Sequence, residues 1–152
     1  MSNNKLQIEQ LASKMEIFES TTEVVISPTG WIKAIRLALG MSMRQLADRL
    51  GITKQSVQEM ELREKNGSIT IKSLREGAKA LDMELVYGFV PKDGTLDALI
   101  DRKARELAVK IVSRTSQSML LENQGVSDER YEKAIEERAA SLKYEMPKIL
   151  WD

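Results

Sequence analysis

Hydrophobic residues recur at helical spacing along most of the chain, and capping residues divide this pattern into separate helices. The clearest boundaries lie within residues 42–64, where Ser42 and Gln45 have the spacing of a capping box. Gly51 follows the apolar face of this first helix and can adopt the left-handed conformation that ends a helix. Thr53 has a side chain suited to cap the next helix. The stretch therefore predicts a helix, a tight glycine turn and a second helix.

Helical patterns also flank this stretch on both sides. Apolar positions predict one helix over about residues 4–19 and another over about 31–39, and Thr70 is placed to cap a helix after the central pair. A long helix is expected over residues 95–121, and Ser127 is expected to cap a last one. At about 1.5 Å per residue the long helix would measure close to 40 Å. A small bundle cannot cover that length, so we expect part of it to contact another surface.

One segment has the pattern of a strand rather than a helix. Residues 84–90 alternate in a β-like way and end at Pro91, which predicts one short β-strand. A single strand needs a partner for its backbone groups. The only candidate in this chain is the weak pattern at residues 23–27, and the alternative is the same strand of a second copy. Pairing with a second copy would make a homodimer.

The second helix of the central pair leaves polar side chains on its outer face. The major groove of DNA admits one α-helix, and amide or amine side chains in its first turns can bond to base edges. Gln55 is suited to adenine, Lys54 to guanine or a phosphate, and Glu59 to a cytosine amine or to the exclusion of wrong sequences. An ordinary surface helix is the alternative. The predicted DNA-binding residues are Arg44, Thr53, Lys54, Gln55, Ser56, Gln58 and Glu59.

Residues 31–83 resemble the lambda-repressor-like (Cro and C1 type, XRE) helix-turn-helix family. The matching segments are Ile35-Arg36, Leu39-Gly40-Met41-Ser42, Gln45-Leu46-Ala47, Leu50-Gly51-Ile52-Thr53, Ser56-Val57, Glu61 and Ala80-Leu81. The resemblance implies a five-helix bundle that binds a double-stranded DNA operator. It also implies a largely buried ion pair between Arg36 and Glu61, which joins the first and third helices of the bundle.

The amino-acid composition limits which kinds of catalysis and metal binding the chain can support. The 152 residues include no cysteine and no histidine, so disulfides, thiolate or imidazole catalysis and the usual zinc sites are excluded. We expect no metal and no cofactor. Catalysis would depend on carboxylates or lysine, and the acidic residues Asp93, Asp97, Asp101 and Glu106 have the spacing of a solvated helix face. We therefore do not expect an enzyme.

A DNA-binding protein is expected to carry an excess of basic residues, and this chain has only a small local excess. The chain has 23 basic and 23 acidic residues, and residues 30–91 hold ten Lys or Arg against seven Asp or Glu. This surplus is small, so affinity is expected to depend on dimerisation or on a partner. Residues 1–10 lack the apolar core of a signal peptide and no apolar stretch is long enough to span a membrane, so a cytoplasmic location is expected.

The end of the long helix carries a second motif. Ser118 and Glu122 lie four residues apart, on the same side of a helix, and Asn123 follows. The sequence resembles [S/T]xxxE[G/N], the inhibitory-helix motif of antitoxins that restrain Fic-domain AMP-transferases. The resemblance implies that Glu122 would occupy the space of the ATP γ-phosphate and that Ser118 would support the helix. A solvated glutamate beside a surface hydroxyl is the alternative.

The whole chain also resembles the mobile mystery protein A family, whose partner, mobile mystery protein B, contains a Fic domain. The resembling segments are Pro28-Thr29-Gly30-Trp31, Ala34-Ile35-Arg36, Ala38-Leu39-Gly40-Met41, Ile69-Thr70, Ala80-Leu81, Val86-Tyr87, Val90-Pro91-Lys92 and Leu150-Trp151-Asp152. This resemblance implies an antitoxin with a Fic-domain partner. The chain itself cannot be the transferase, because the Fic catalytic motif begins with histidine. The alternative function is a plain repressor whose C-terminal helices serve dimerisation or ligand sensing.

The expected architecture is mostly α. It comprises an N-terminal helical arm at residues 1–29, a helix-turn-helix domain with a short strand at 30–91, and a C-terminal helical extension at 92–152.

Overall fold

The computed structural model describes residues 2–121 and 127–152. Seven α-helices lie within these ranges, and we number them in chain order: α1 Ser2–Glu16, α2 Trp31–Ala38, α3 Met43–Leu50, α4 Lys54–Asn66, α5 Ile71–Ala80, α6 Leu96–Leu121 and α7 Asp128–Glu145. Short 3-10 turns follow α1, at Glu19–Glu23, and α7, at Lys148–Trp151. The chain forms two compact units, one of Thr21–Gly88 and one of Met1–Ser20 with Phe89–Asp152.

The unit Thr21–Gly88 contains α2 to α5 around one apolar core. Helix α3 packs against α4 and α5, and α2 packs against the same two helices. The core consists of buried aliphatic and methionine side chains: Ile32, Leu46, Ala47, Val57, Met60 and Leu81. Gly77 lets α5 approach α2, because a Cβ atom at this position would lie 2.8 Å from Ile32 Cδ1. Close packing of these four helices fixes the orientation of α4.

The other unit is built on the packing of α6 against α7. Its buried core residues are Ile100, Ala104, Ala108, Ile135, Leu142 and Leu150, and Ile8 of α1 packs against them. The small side chains of Ala104 and Ala108 are both almost fully buried, which allows the two helices to lie close together. The predicted caps of this unit are present, since Thr95 and Ser127 accept hydrogen bonds from Ala98 N and Arg130 N.

The predicted short strand is wrong for this structure. Residues 84–90 have no regular secondary structure, and residues 23–27 do not pair with them. A ladder needs two neighbouring strands, and the described part of the chain supplies no partner to this segment. The number of helices in the unit Thr21–Gly88 also differs from the prediction. Thr21–Gly88, all of whose residues are described, contains four α-helices where a five-helix bundle was expected.

Candidate nucleic-acid interface

The turn between α3 and α4 has the geometry that the sequence predicts. Gln45 N donates to Ser42 Oγ at 3.1 Å, and Ser42 N donates to Gln45 Oε1 at 2.8 Å, so both halves of the capping box are present. Gly51 ends α3 with φ 68° and ψ 31°, a left-handed conformation that is costly for other residues. These contacts fix where α3 ends and in which direction α4 begins.

Helix α4 begins with a hydroxyl cap. Ser56 N donates to Thr53 Oγ1 at 3.1 Å, and the Thr53 hydroxyl lies 2.9 Å from Ser56 Oγ. The cap satisfies one of the free backbone N–H groups at the start of the helix. The remaining N–H groups give this end of α4 a partial positive charge, which favours an approaching phosphate. Of the seven predicted DNA-binding residues, Thr53 and Ser56 are thus in direct contact.

The other predicted residues lie on exposed surfaces of α3 and α4. Lys54, Gln55, Gln58 and Glu59 are all exposed, whereas Val57 between them is fully buried. Positions four apart share one face of a helix, so these four side chains form a continuous polar surface. The exposed side chain of Arg44 belongs to the first turn of α3. The arrangement presents amide, amine and carboxylate groups on a helix whose opposite face is held in the core.

A buried ion pair connects α4 to α2. Arg36 Nε and Nη2 donate to the two carboxylate oxygens of Glu61, and both side chains are about 5% exposed. Arg36 Nη1 also donates to the Met41 carbonyl at 3.0 Å, in the segment that precedes α3. Buried charges are tolerated when they are paired and their hydrogen bonds are satisfied. This single arginine therefore links α2, α4 and the start of the helix-turn-helix.

A second glutamate of α4 caps α2, and sequence reasoning missed it. Trp31 N and Ile32 N donate to the Glu64 carboxylate at 2.9 and 2.8 Å. Gly30 provides no side-chain cap, and a Cβ atom at Gly30 would lie 2.8 Å from Glu64 Cδ. The sequence feature that could have indicated this cap is the glycine at the N-cap. Glycine has no side chain, so the backbone N–H groups at the start of α2 need an acceptor from elsewhere. The sequence did not show that the acceptor lies more than thirty residues away.

The acidic residues near the start of α6 form surface ion pairs. Asp93 accepts from Arg102 at 2.7 Å, and Lys143 lies 2.8 Å from Asp101 and 3.1 Å from Asp97. The hydrogen bond from Arg102 lowers the pKa of Asp93, and the hydrogen bond to Asp101 raises the pKa of Lys143. Each carboxylate faces a cation rather than a second carboxylate, so the arrangement is that of a charged helix surface.

The described residues also bear on metal binding and on membrane insertion. Among the described residues, no group of three acidic, histidine or cysteine side chains is placed to hold a metal ion. No helix in the described ranges is both long and apolar enough to cross a membrane.

For the predicted Fic-inhibitory motif, α6 is described as far as Leu121. Glu122, Asn123 and the side chain of Ser118 lie outside the described part of the molecule.

Comparison with known protein families matches part of the chain. Residues 32–87 match the family model HTH_3, described as helix-turn-helix. Searches of curated proteins and of solved structures gave no match to the chain. The match covers α2 to α5 and the segment that follows them, and it does not reach the motif near Glu122. The polar face of α4 thus belongs to an XRE-family helix-turn-helix domain at residues 32–87, the DNA-binding part of a regulator.

Proposed function

We propose that the protein is a transcriptional repressor that binds an operator as a dimer and reads it with α4. The exposed polar face of α4, held at its start by Thr53 and at its back by the Arg36–Glu61 pair, is the observation that carries this proposal. A helix in the major groove must present its side chains in a fixed orientation if they are to distinguish bases. Caps and buried contacts on both sides of α4 provide that orientation.

Each exposed residue of α4 has a role that follows from its hydrogen-bonding groups. Gln55 can donate and accept together, which matches the N6 and N7 atoms of adenine. Gln58, one turn further along, has the same groups, and Lys54 can donate to guanine or to a phosphate. Glu59 accepts only, so it can bond to a cytosine amine and repel the backbone at other sequences. Arg44 of α3, together with the hydroxyls of Thr53 and Ser56, would contact phosphates.

The first experiment selects operator sequences from a random DNA library with the purified chain and then repeats the binding with Gln55→Ala. Loss of a bidentate base contact should cost about 1 to 3 kcal/mol and relax the preference at one base pair of each half-site. Glu76→Ala, on the exposed surface of α5, is the matched control and should leave the preference unchanged. Equal weakening on every DNA sequence would count against base readout by Gln55.

We further propose that the protein is an antitoxin for a Fic-domain AMP-transferase. Its support is the Ser118 to Asn123 motif together with the family resemblance of the chain. The approach to the motif is also accessible, because Arg114, Thr115 and Gln117 of α6 are exposed whereas Ala104 and Ala108 are buried against α7. In this proposal Glu122 enters the partner's active site and occupies the place of the ATP γ-phosphate, and Ser118 supports it.

A complex with the product of the neighbouring gene would test the antitoxin function. The chain and its Glu122→Gly variant are each purified with that product, and AMP transfer is then measured on both complexes. Both complexes should form, and only the one with Glu122→Gly should be active. Glu129→Gly, at the exposed start of α7, is the control and should remain inhibitory. Full inhibition by Glu122→Gly would refute the obstructing role of Glu122. A failure to bind would leave a repressor whose C-terminal helices serve dimerisation or ligand sensing.

A further inference from the structure

A groove of about 500 Å³ lies in the unit that contains α6 and α7. It is bordered by the first half of α1, the first turns of α6 and the last turns of α7, all of which belong to this one unit. Its apolar lining consists of Ile8, Ile100, Ala140 and Met146. Pockets for small organic molecules measure about 300 to 1,000 Å³ and often lie between helices. The groove is therefore large enough, and apolar enough, to hold the hydrocarbon part of a ligand.

Lys143 of α7 lines the groove, but carboxylates of α6 already neutralise its charge. Its ammonium nitrogen lies 2.8 Å from Asp101 Oδ1 and 3.1 Å from Asp97 Oδ2. The hydrogen bond with Asp101 is the main reason why the pKa of Lys143 is raised. Asp97 also lies in the first turn of α6, where it offsets the partial positive charge of that helix end. Two carboxylates against one ammonium make this side of the groove unsuited to a carboxylate or phosphate ligand.

Two further carboxylates line the groove without a cation beside them. Glu9 and Glu145 form no ion pair with any residue that the structure describes, although Glu145 Oε1 accepts a hydrogen bond from Ser141 Oγ at 3.3 Å. Lys5, one turn before Glu9, is the unpaired cation of the lining within the described ranges. The exposed Tyr144 adds an aromatic ring, whose face attracts cations. The unpaired groups thus have an excess of negative charge.

The end of α7 adds a partial negative charge to the groove. Met146 ends this 18-residue helix in a left-handed conformation, with φ 46° and ψ 56°, and its N–H group donates to the Leu142 carbonyl at 2.8 Å. The carbonyls of the three preceding residues, Lys143, Tyr144 and Glu145, accept no backbone hydrogen bond from the described part of the chain. Free carbonyls at a helix C-terminus favour a nearby cation. The same three residues line the groove.

We infer that this groove binds an organic cation with an apolar body, such as a primary amine on a hydrocarbon chain. The ammonium group would lie near Glu9, Glu145 and the end of α7, and the hydrocarbon would cover Ile8 and Ile100. Burial of hydrocarbon supplies affinity for any apolar molecule. The charges around the groove select the cation among molecules of equal size. This site goes beyond the repressor and antitoxin functions, because it includes neither α4 nor the motif at Glu122.

Octylammonium, octanol and octanoate share one hydrocarbon chain and differ in charge, so together they test the selection of a cation. Binding of each compound to the full-length chain, without DNA, is measured by calorimetric titration at neutral pH and low salt, below micelle-forming concentrations. Octylammonium should bind saturably and at least about tenfold more tightly than octanol, and octanoate should bind more weakly than octanol. Equal binding of the three compounds would overturn the proposal. A preference for octanoate, or no saturable binding of octylammonium, would also overturn it.

Variants of exposed residues test whether the cation binds in this groove. Ala140→Leu should fill the groove and weaken octylammonium binding at least about tenfold, without disturbing the core. Glu9→Gln combined with Glu145→Gln keeps the shape and removes both unpaired charges, so octylammonium should lose its advantage over octanol. Glu136→Gln combined with Glu137→Gln, on the exposed surface of α7 outside the groove, is the matched control and should keep that advantage.

Circular dichroism of each variant is used to check that the helices remain folded. Undiminished octylammonium binding by Ala140→Leu would place the cation elsewhere on the molecule and refute the site. An unchanged preference for octylammonium in the double variant at Glu9 and Glu145 would refute recognition of the cation by these two carboxylates. Because no DNA or partner protein is present, these results do not depend on whether the proposed repressor or antitoxin function is correct.

Discussion

At the scale of single residues, two glutamates of α4 hold α2 in different ways. Glu61 is buried and neutralises Arg36, whereas Glu64 is half-buried and accepts from two backbone N–H groups. The Arg36–Glu61 pair follows from a family resemblance, because both residues match its pattern. The Glu64 cap depends on the packing of α2 against α4, and nothing in the sequence around Gly30 identifies its acceptor. Local sequence thus shows that a cap is missing but not which residue replaces it.

The buried ion pair predicts that the effects of changes at Arg36 and at Glu61 on stability depend strongly on each other. Arg36→Met alone should destabilise the domain by about 3 to 5 kcal/mol, because it leaves the Glu61 charge buried without a partner. The double variant Arg36→Met with Glu61→Leu should cost less than either single change, since no unpaired charge remains. Urea unfolding of the four proteins measures this coupling. Additive losses in the double variant would contradict an interaction between the two side chains.

The Glu64 cap predicts a smaller effect. Glu64→Ala removes the acceptor for Trp31 N and Ile32 N and should lower the free energy of unfolding by about 0.5 to 2 kcal/mol, as for other lost caps. Glu76→Ala, an exposed glutamate of α5, provides the comparison and should be close to neutral. Thermal unfolding followed by circular dichroism would distinguish the two variants. Identical midpoints would mean that water replaces the carboxylate at no cost.

At the scale of elements, the helices whose capping residues lie in the local sequence could be predicted. The predicted β-strand is not formed. The limits of α3, α4 and α7 follow from Ser42, Gly51, Thr53 and Ser127, each within a few residues of the groups it satisfies. The alternation at residues 84–90 measures only suitability for a strand. A strand also needs a neighbour, and the described chain places no other strand beside it.

The packing of α6 against α7 predicts that enlarging a buried alanine lowers stability. Ala108 is fully buried where the two helices meet, so Ala108→Leu should force them apart and cost about 1 to 3 kcal/mol. Lys110→Leu, on the exposed side of α6, is the matched control and should change stability little. Chemical unfolding of both variants measures the difference. Operator binding by Ala108→Leu at low temperature should persist, because the helix-turn-helix domain has its own core.

At the scale of the whole molecule, a neutral chain has to bind a polyanion. The basic surplus in residues 30–91 is three charges, and the rest of the chain cancels it. Non-specific attraction to phosphates should therefore be weak, and binding should depend on contacts made by particular residues and on the presence of two copies. This explains why the net charge of the chain was a poor guide to its function, whereas the pattern of caps around α4 was a good one.

The salt dependence of operator binding tests this view of the molecule. Plots of log K against log salt should be shallow for the wild type, because few cations face the DNA. If Lys54 contacts a phosphate, Lys54→Ala should reduce the slope by about 1 for each protomer and weaken all sequences alike. Gln55→Ala should leave the slope unchanged and alter only base preference. A steep wild-type slope would show that a broader basic surface forms in the dimer. An unaltered slope in Lys54→Ala, with loss at one base pair, would assign Lys54 to base readout.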